Sequence, residues 1–381
     1  MNDQVPQKGT VDRVDWIRDP AALESIEGPW RALERRVQLR THVSTFDFLA
    51  TWCRHYAGEY GGTPLIGLAW RGPDLVGVAP LMIRRGRLAK IPVTRIDFAP
   101  NDSVAGEFLV EDDQPGIVAA LIYSLVHTHT KFDVLCLNGF DPASPQLLAL
   151  HGAATSHRLA IQMEDHAFAL VDLRKGYETY QAGLSSHYRR NLNQKARKIA
   201  DAGFAVEGIQ LTQGLDTLEA SILRMIGITE ASYKLQGQRL ADSHRGFLTD
   251  VARRFGARGM LSLPILSIGG QDAAFILGVV ERGCFYDVTL AYHESFAKLS
   301  PGAFLMQEAL RHLAAAGVHT VVSHGAHEYK KHWSTRLVPQ KRIFLFAQGL
   351  RAAAPRLVRF GLRPFLRRLG AAPAGPHQAA A

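Results

Sequence analysis

Asp287 stands in the middle of the otherwise apolar run Cys284 to Ala291, the first place in this 381-residue chain where a side chain is set to do chemistry. A carboxylate inside an apolar strand is costly unless it is paired, and one held in a half-buried place is a candidate general base. Side chains alternate along a strand, so Phe285, Asp287 and Thr289 are expected on one face and Tyr286, Val288 and Leu290 on the other. Tyr286 is then a candidate proton donor. The competing readings are a carboxylate satisfied by backbone donors or an arginine, and a tyrosine of the core.

Two further groups follow. Lys298-Leu299-Ser300-Pro301-Gly302 opens an amphipathic helix, and a helix start offers free N–H groups and the positive end of a dipole to a phosphate-bearing ligand. Lys298, Ser300, Pro301 and the N–H groups of Gly302, Ala303 and Phe304 form the candidate set, although proline at a first helical turn is also common for purely local reasons. After the next strand come His324-Gly325 and Glu328-Tyr329-Lys330-Lys331-His332-Trp333. Lys330 can stabilise the negative charge of a tetrahedral intermediate or hold an anionic acceptor, and Tyr329 and Trp333 offer stacking faces unless they simply pack over the strand end. His324 and Glu328 are alternative bases.

Other chemistries find no support. GxxxxGK[ST] and GxGxxG are absent, and Val321-Val322-Ser323-His324-Gly325 lacks the first glycine of a nucleophile elbow. His324, His327 and Glu328 have neither HExxH nor HxxEH spacing, so no metal site is expected. Cys53, Cys136 and Cys284 are odd in number and far apart, which suits buried thiols rather than a disulfide framework or a covalent intermediate.

The net charge of +9 invites a nucleic-acid reading. Eleven basic residues and no acidic one follow Glu328, so the body before it is near neutral and nucleic acid is not expected. No run of about 18 apolar residues is present and the N-terminus is polar, making the cytoplasm the default compartment. Within Arg356 to Leu369, Val358, Leu362, Phe365, Leu366 and Leu369 share one helical face opposite Arg356, Arg359, Arg363 and Arg367. That pattern suits peripheral contact with anionic membrane, although Pro364 argues equally for a broken helix packed on the body. Ala371 to Ala381 has the composition of a disordered tail.

The elements that must position these residues come in a doubled pattern. Strands Pro64 to Trp70 and Leu75 to Ile83 flank one turn, and Ser262 to Ile268 and Ala273 to Val280 flank another. Pro115-Gly116 opens a helix leading to strand Phe132 to Leu137 and Asn138-Gly139; Pro301-Gly302 does the same toward His319 to Ser323 and His324-Gly325. The equal intervals suggest two copies of one architecture. Between them a strand is expected over Ala167 to Leu173 and one helix over Tyr177 to Ala202, carrying Arg189, Arg190, Lys195, Arg197 and Lys198. Two more helices are expected over Leu215 to Leu235 and Asp242 to Phe255. The basic face of the first is either a solvated surface or a site for an anionic substrate.

Arg189-Arg190 with Gly203, Tyr292 to Gly302, the strand ending in Gly325, and Tyr329-Lys330 with Trp333 occur in an order that resembles the CelD-type acetyltransferase family. The likeness spans about Tyr177 to Thr335. That family has a GNAT fold and is similar to the Fem-type peptidoglycan aminoacyltransferases. The resemblance implies an α/β protein of two tandem GNAT-like halves with mixed sheets, residues 1–165 and 166–350, followed by an arginine-rich helical segment and tail, 351–381. It implies acyl transfer from acetyl-CoA or another acyl-CoA to an amine of a polysaccharide or cell-envelope precursor, in a ternary complex. Arg189, Arg190, Tyr329 and Trp333 would face that acceptor. The usual Q/R-x-x-G-x-G/A loop is replaced by Lys298 to Ala303, which leaves the donor open to an acyl carrier protein or aminoacyl-tRNA. A non-catalytic membrane-associated binding protein is the rival outside enzymes.

Overall fold

Alternating apolar residues and tight glycine turns build most of the sheet. In this computed structural model, residues 11–37, 41–58, 62–100, 106–111, 114–128, 131–208, 215–235 and 237–362 are described. Strand β1 (Arg13–Ile17) and helices α1 (Glu27–Arg36) and α2 (Phe46–Tyr56) precede the hairpin β2 (Gly62–Arg71) and β3 (Asp74–Leu88). Its turn places Gly72 at φ 55°, a left-handed conformation that glycine adopts without penalty. Then come β4 (Ile91–Phe98), β5 (Leu109–Val110), α3 (Pro115–Thr128), β6 (Val134–Phe140) and α4 (Pro145–Ser156). The chain continues through β7 (Ala160–Asp172), α5 (Tyr177–Gly183), α6 (Ser186–Asp201), β8 (Phe204–Glu207), α7 (Leu215–Glu230) and α8 (Asp242–Ala257). Strand β9 (Leu261–Ser262) leads to β10 (Ile265–Ile268), β11 (Gln271–Glu281), β12 (Cys284–Tyr292), α9 (Pro301–Ala315) and β13 (Thr320–Ser323). Last are α10 (Glu328–Lys331), β14 (Arg336–Phe346) and α11 (Leu350–Arg356).

The strands form one mixed α/β sheet in the order β1-β2-β3-β4-β6-β14-β7-β13-β12-β11-β10-β8. Its two ends repeat each other. Antiparallel β2-β3-β4 continues into β6, parallel to β4, as antiparallel β10-β11-β12 continues into β13, parallel to β12. The repeats exchange their last strands: β7 follows the first repeat but pairs with β13, whereas β14 follows the second and pairs with β6. The register between them, Arg336 on Leu170 through Phe346 on Ala160, stitches the halves. Residues 165 and 166 therefore lie inside one continuous strand.

Three large cores cover the faces. One lies beneath α3 and α4, one beneath α5, α6 and α9, and a third joins the halves through Trp30, Phe46, Phe48, Phe247, Phe255 and Phe275. At its edge the Asp47 carboxylate, 1% exposed, accepts from Arg31 at 2.7 and 3.0 Å and from Arg258 at 2.6 Å. A buried carboxylate is tolerable only with such partners.

Two sequence expectations are corrected. The helix expected over Tyr177 to Ala202 is two helices, because Ser185 is extended and its Oγ accepts from the Tyr188 N–H at 3.2 Å; a serine cap competes with helix continuation. The simple alternation along β12 fails beyond Asp287. Gly278 pairs with Asp287 and Leu277 with Thr289, so Val288 is a bulge, and the bulge reverses the parity: Leu290 packs with Phe285, while Ala291 packs with Val288. Before the bulge, the ring of Phe285 lies where a Cβ on Gly278 would come within 2.2 Å.

At the C-terminus, where the sequence left open a basic face toward membrane or a broken helix packed on the body, α11 passes into a wider helical turn, Leu357–Leu362, and Arg359 pairs with Glu164 at 2.7 Å. Its neighbour Phe360 packs on Phe344 and Phe346. Arg363 to Leu369 lie outside the described residues. Among the described residues no helix is long and apolar enough to cross a membrane.

Candidate functional site

Parallel pairing of β12 with β13 ends at Asp287 opposite Ser323. Beyond that rung β12 runs on through the Val288 bulge to Tyr292, paired only with β11, so the sheet forks and leaves an open strand edge. Ser323, fully buried, donates its Oγ–H to Asp287 Oδ2 at 2.5 Å. The hydroxyl orients the carboxylate and leaves its other oxygen for a further partner.

Two lysines flank the fork. Lys330, 6% exposed on α10, donates its ammonium to the His324 carbonyl, which follows β13. Lys234, in the turn after α7, stands at the surface as a residue, but its Nζ reaches inward to the Leu290 carbonyl on β12 at 2.7 Å. Loss of solvation pushes both pKa values down, opposed by the charge of Asp287; the nearby Lys234 charge lowers Lys330 further. Ammonium groups held in a cleft against a carboxylate are the kind of perturbed groups that cluster at functional sites.

His324 completes the group. Burial lowers its pKa to about 4, with Asp287 opposing and Lys330 reinforcing, so it is neutral at pH 7. Among the described residues neither ring nitrogen has a protein partner. The first half reaches in here: His42, 2% exposed, lies with its ring centre 5.6 Å from that of His324 and 5.8 Å from that of Tyr286. Burial and the neighbouring His324 also hold His42 well below the ordinary histidine value.

The structure thus brings Asp287, His324 and Lys330 together and adds Ser323, Lys234 and His42, which sequence reasoning missed. Tyr286 is on the other side of β12, 5% exposed beside Cys284, and burial raises its pKa strongly. It holds its proton firmly. Glu328 does not join the cluster: its side chain is 85% exposed and pairs with Lys331 at 2.5 Å, which lowers its pKa. Tyr329 is exposed and stacks on His327, while Trp333 is buried in the core and its carbonyl accepts from the Tyr180 hydroxyl at 2.7 Å.

At the start of α9, Ser300 adopts φ 53°, ψ 53°, an uncommon conformation for a non-glycine residue. Pro301 has no N–H, the Phe304 amide donates to the Ser300 carbonyl at 3.2 Å as the first rung of the helix, and the Ala303 amide leans on the same oxygen at 3.1 Å. Of the expected cradle, the Gly302 amide remains as a donor toward a ligand. Gly302 packs on Leu290 and Tyr292 of β12, where a Cβ would come within 2.9 Å of Leu290. Lys298 is exposed and its carbonyl accepts from Lys195 of α6 at 2.6 Å. Arg189, Arg190, Arg197 and Lys198 are exposed on α6 and pair with no carboxylate among the described residues.

The first half holds an internal control. Asp97 is on the last parallel rung of β4 with β6, opposite Cys136, the place Asp287 has in the second half. Asp97 is bonded by Arg84 at 2.8 Å and Arg95 at 2.6 Å and is 2% exposed. Two guanidiniums hold that carboxylate, whereas a single hydroxyl holds Asp287. Among the described residues no group of three or more His, Cys, Asp or Glu side chains is arranged to hold a metal.

Comparison with known proteins agrees with this geometry. Residues 186–331 match the model of the acetyltransferase (GNAT) domain. In fold the chain is similar to the C-terminal domain of a putative lysylphosphatidylglycerol synthetase from Agrobacterium fabrum, at 13% identity and a TM-score of 0.54 over 90% of this chain and 99% of that one. It is similar also to FemX, at 10% identity and a TM-score of 0.53 over 86% and 96%. The third is L-PGS from Bacillus licheniformis, at 11% identity and a TM-score of 0.51 over 90% and 97%. No curated protein matches the sequence. The chain is an acyltransferase enzyme, with a GNAT domain in its second half and two GNAT-like halves in all.

Proposed function

We propose that this enzyme moves an acyl group from a thioester donor to an amine of a polysaccharide or other cell-envelope precursor, by direct attack at the fork between β12 and β13. One observation carries the reading: at the rung where the two strands part, Asp287, Ser323, Lys330, Lys234 and His324 converge. The open edge of β12 accepts the arm of the donor by strand-like hydrogen bonding, and the Gly302 amide with Lys298 receives its phosphates. Asp287, oriented by Ser323, takes the proton of the attacking amine. Lys330 stabilises the oxyanion of the tetrahedral intermediate, and Lys234 adds a second positive charge beside it. Tyr286 stands as core, since its raised pKa makes it a poor donor to a thiolate.

A second reading has its own observation. The unpaired basic face of α6, next to α9 through Lys195 and Lys298, suits a polyanionic carrier such as aminoacyl-tRNA as donor. The name of the similar lysylphosphatidylglycerol synthetase fold supports an envelope acceptor, and Leu350, Leu357 and Leu362, exposed beside Arg351 and Arg356, support peripheral contact with anionic membrane. A thermal-shift series tests the donor. Acetyl-CoA, longer acyl-CoAs or CoA at about a hundred times their dissociation constant should stabilise the protein by roughly 2.7 kcal/mol. Stabilisation by aminoacyl-tRNA with none by CoA compounds would move the assignment to the second reading.

A further inference from the structure

On the exchanged strands lies a second cavity that the transfer chemistry above does not use. It encloses about 630 Å3 and is lined by Asn138 and Gly139 after β6, His324 to His327 after β13, Asp165 and His166 of β7, and Gln340 and Arg342 of β14. The glycine turns that end the two parallel pairs, Gly139 at φ 100° and Gly325 at φ 78°, face each other across it. That volume is the size of a small-molecule site.

Its wall is rich in donors and poor in charge of the other sign. Arg342 contributes a guanidinium, and the one carboxylate, Asp165, is matched by Lys341 at 2.5 Å. Burial and the charge of Arg342 lower the pKa of His166, so it presents a neutral ring. The wall is shared with the reaction site: His324 directly follows Ser323, the residue that bonds Asp287, and both its ring nitrogens are buried without a protein partner among the described residues. A buried polar group left in that state calls for a ligand to explain it.

We propose that this cavity binds the anionic group, phosphate or carboxylate, of the acceptor, with Arg342 as the anchor and His324 as the contact toward the fork. Arg342 gives a forked, charge-assisted grip, and the acceptor's amine then meets Asp287 from the side opposite α9. The word acceptor rests on the transfer reading above; the anion preference does not, because binding is measured without any donor.

The test follows histidine ring resonances of the full-length protein by NMR during titration with inorganic phosphate, the His324 signal being identified by its loss in His324→Asn. Phosphate should shift that signal, with affinity about tenfold or more weaker in Arg342→Gln and only partly restored in Arg342→Lys, which keeps the charge without the fork. Glycerol phosphate and phosphatidylglycerol vesicles are then added as competitors. Displacement by the first alone points to a soluble phosphomonoester, and displacement by the vesicles to a lipid headgroup. An unmoved His324 signal, or equal affinity in the wild type and a folded Arg342→Gln, overturns the proposal whether or not donor binding is found.

Discussion

Replacing His324 with asparagine should flatten the acid limb of the stability curve. The ring is buried beside His42 and feels the charges of Asp287 and Lys330, and its pKa is about 4, against roughly 6.5 for histidine in an unfolded chain. Above about pH 6.5 the ring is neutral in both states and adds no pH dependence. As pH falls from there toward 4, the unfolded chain takes up a proton that the folded protein refuses. Stability is therefore lost at about 1.4 kcal/mol per pH unit, roughly 3 kcal/mol in all, and levels off below about pH 4. Other groups titrate in this range too, so the quantity to follow is the difference between wild type and variant. Urea unfolding at a series of pH values measures it. The variant should gain about 3 kcal/mol on the wild type between about pH 7 and pH 4. A difference that stays constant across the range refutes the reasoning, since His324 would then titrate alike in both states.

Three further outcomes are expected. Asp287→Asn should lower the transfer rate by on the order of 10²–10⁴ with the fold intact, and Ser323→Ala by less, because it removes only the orientation of the carboxylate; steady-state kinetics on a folded variant checks both. Lys330→Ala should reduce kcat by on the order of 10²–10³ with little change in KM, the mark of a group that acts in the transition state. Asp47→Ala, which leaves Arg31 only Glu27 and Arg258 only Glu34 at the seam between the halves, should destabilise by about 1–3 kcal/mol, seen as a lower urea midpoint.

Local rules made much of this fold readable. Both hairpins announced themselves through alternating strands and glycine turns, and the Pro-Gly helix starts led correctly to β6 and β13. What stayed hidden depends on partners distant in sequence. Strand β14, with Pro339 and three basic residues, has no clear alternation, and it exists because β6 and β7 offer it two edges. The bulge at Val288 left one signal, Gly278 in an otherwise bulky strand, since an interior strand glycine often marks a bulge or a close approach. Asp287 drew notice because a charge in an apolar strand is conspicuous, and Lys330 because it follows the strand end. Lys234 and His42 did not, because one basic residue after a helix and one histidine in a loop look like any surface residue until the fold turns them inward. The phosphate cradle was overcounted: the Phe304 amide belongs to the helix ladder.

Hydrogen–deuterium exchange with and without an acyl-CoA examines the central claim most directly. If the donor enters the fork, protection should rise over residues 286–292 and 298–304 while the matching stretch of the first half, 95–98 and 115–119, stays unchanged. Protection in the first half instead, or none at the second fork, would contradict the account.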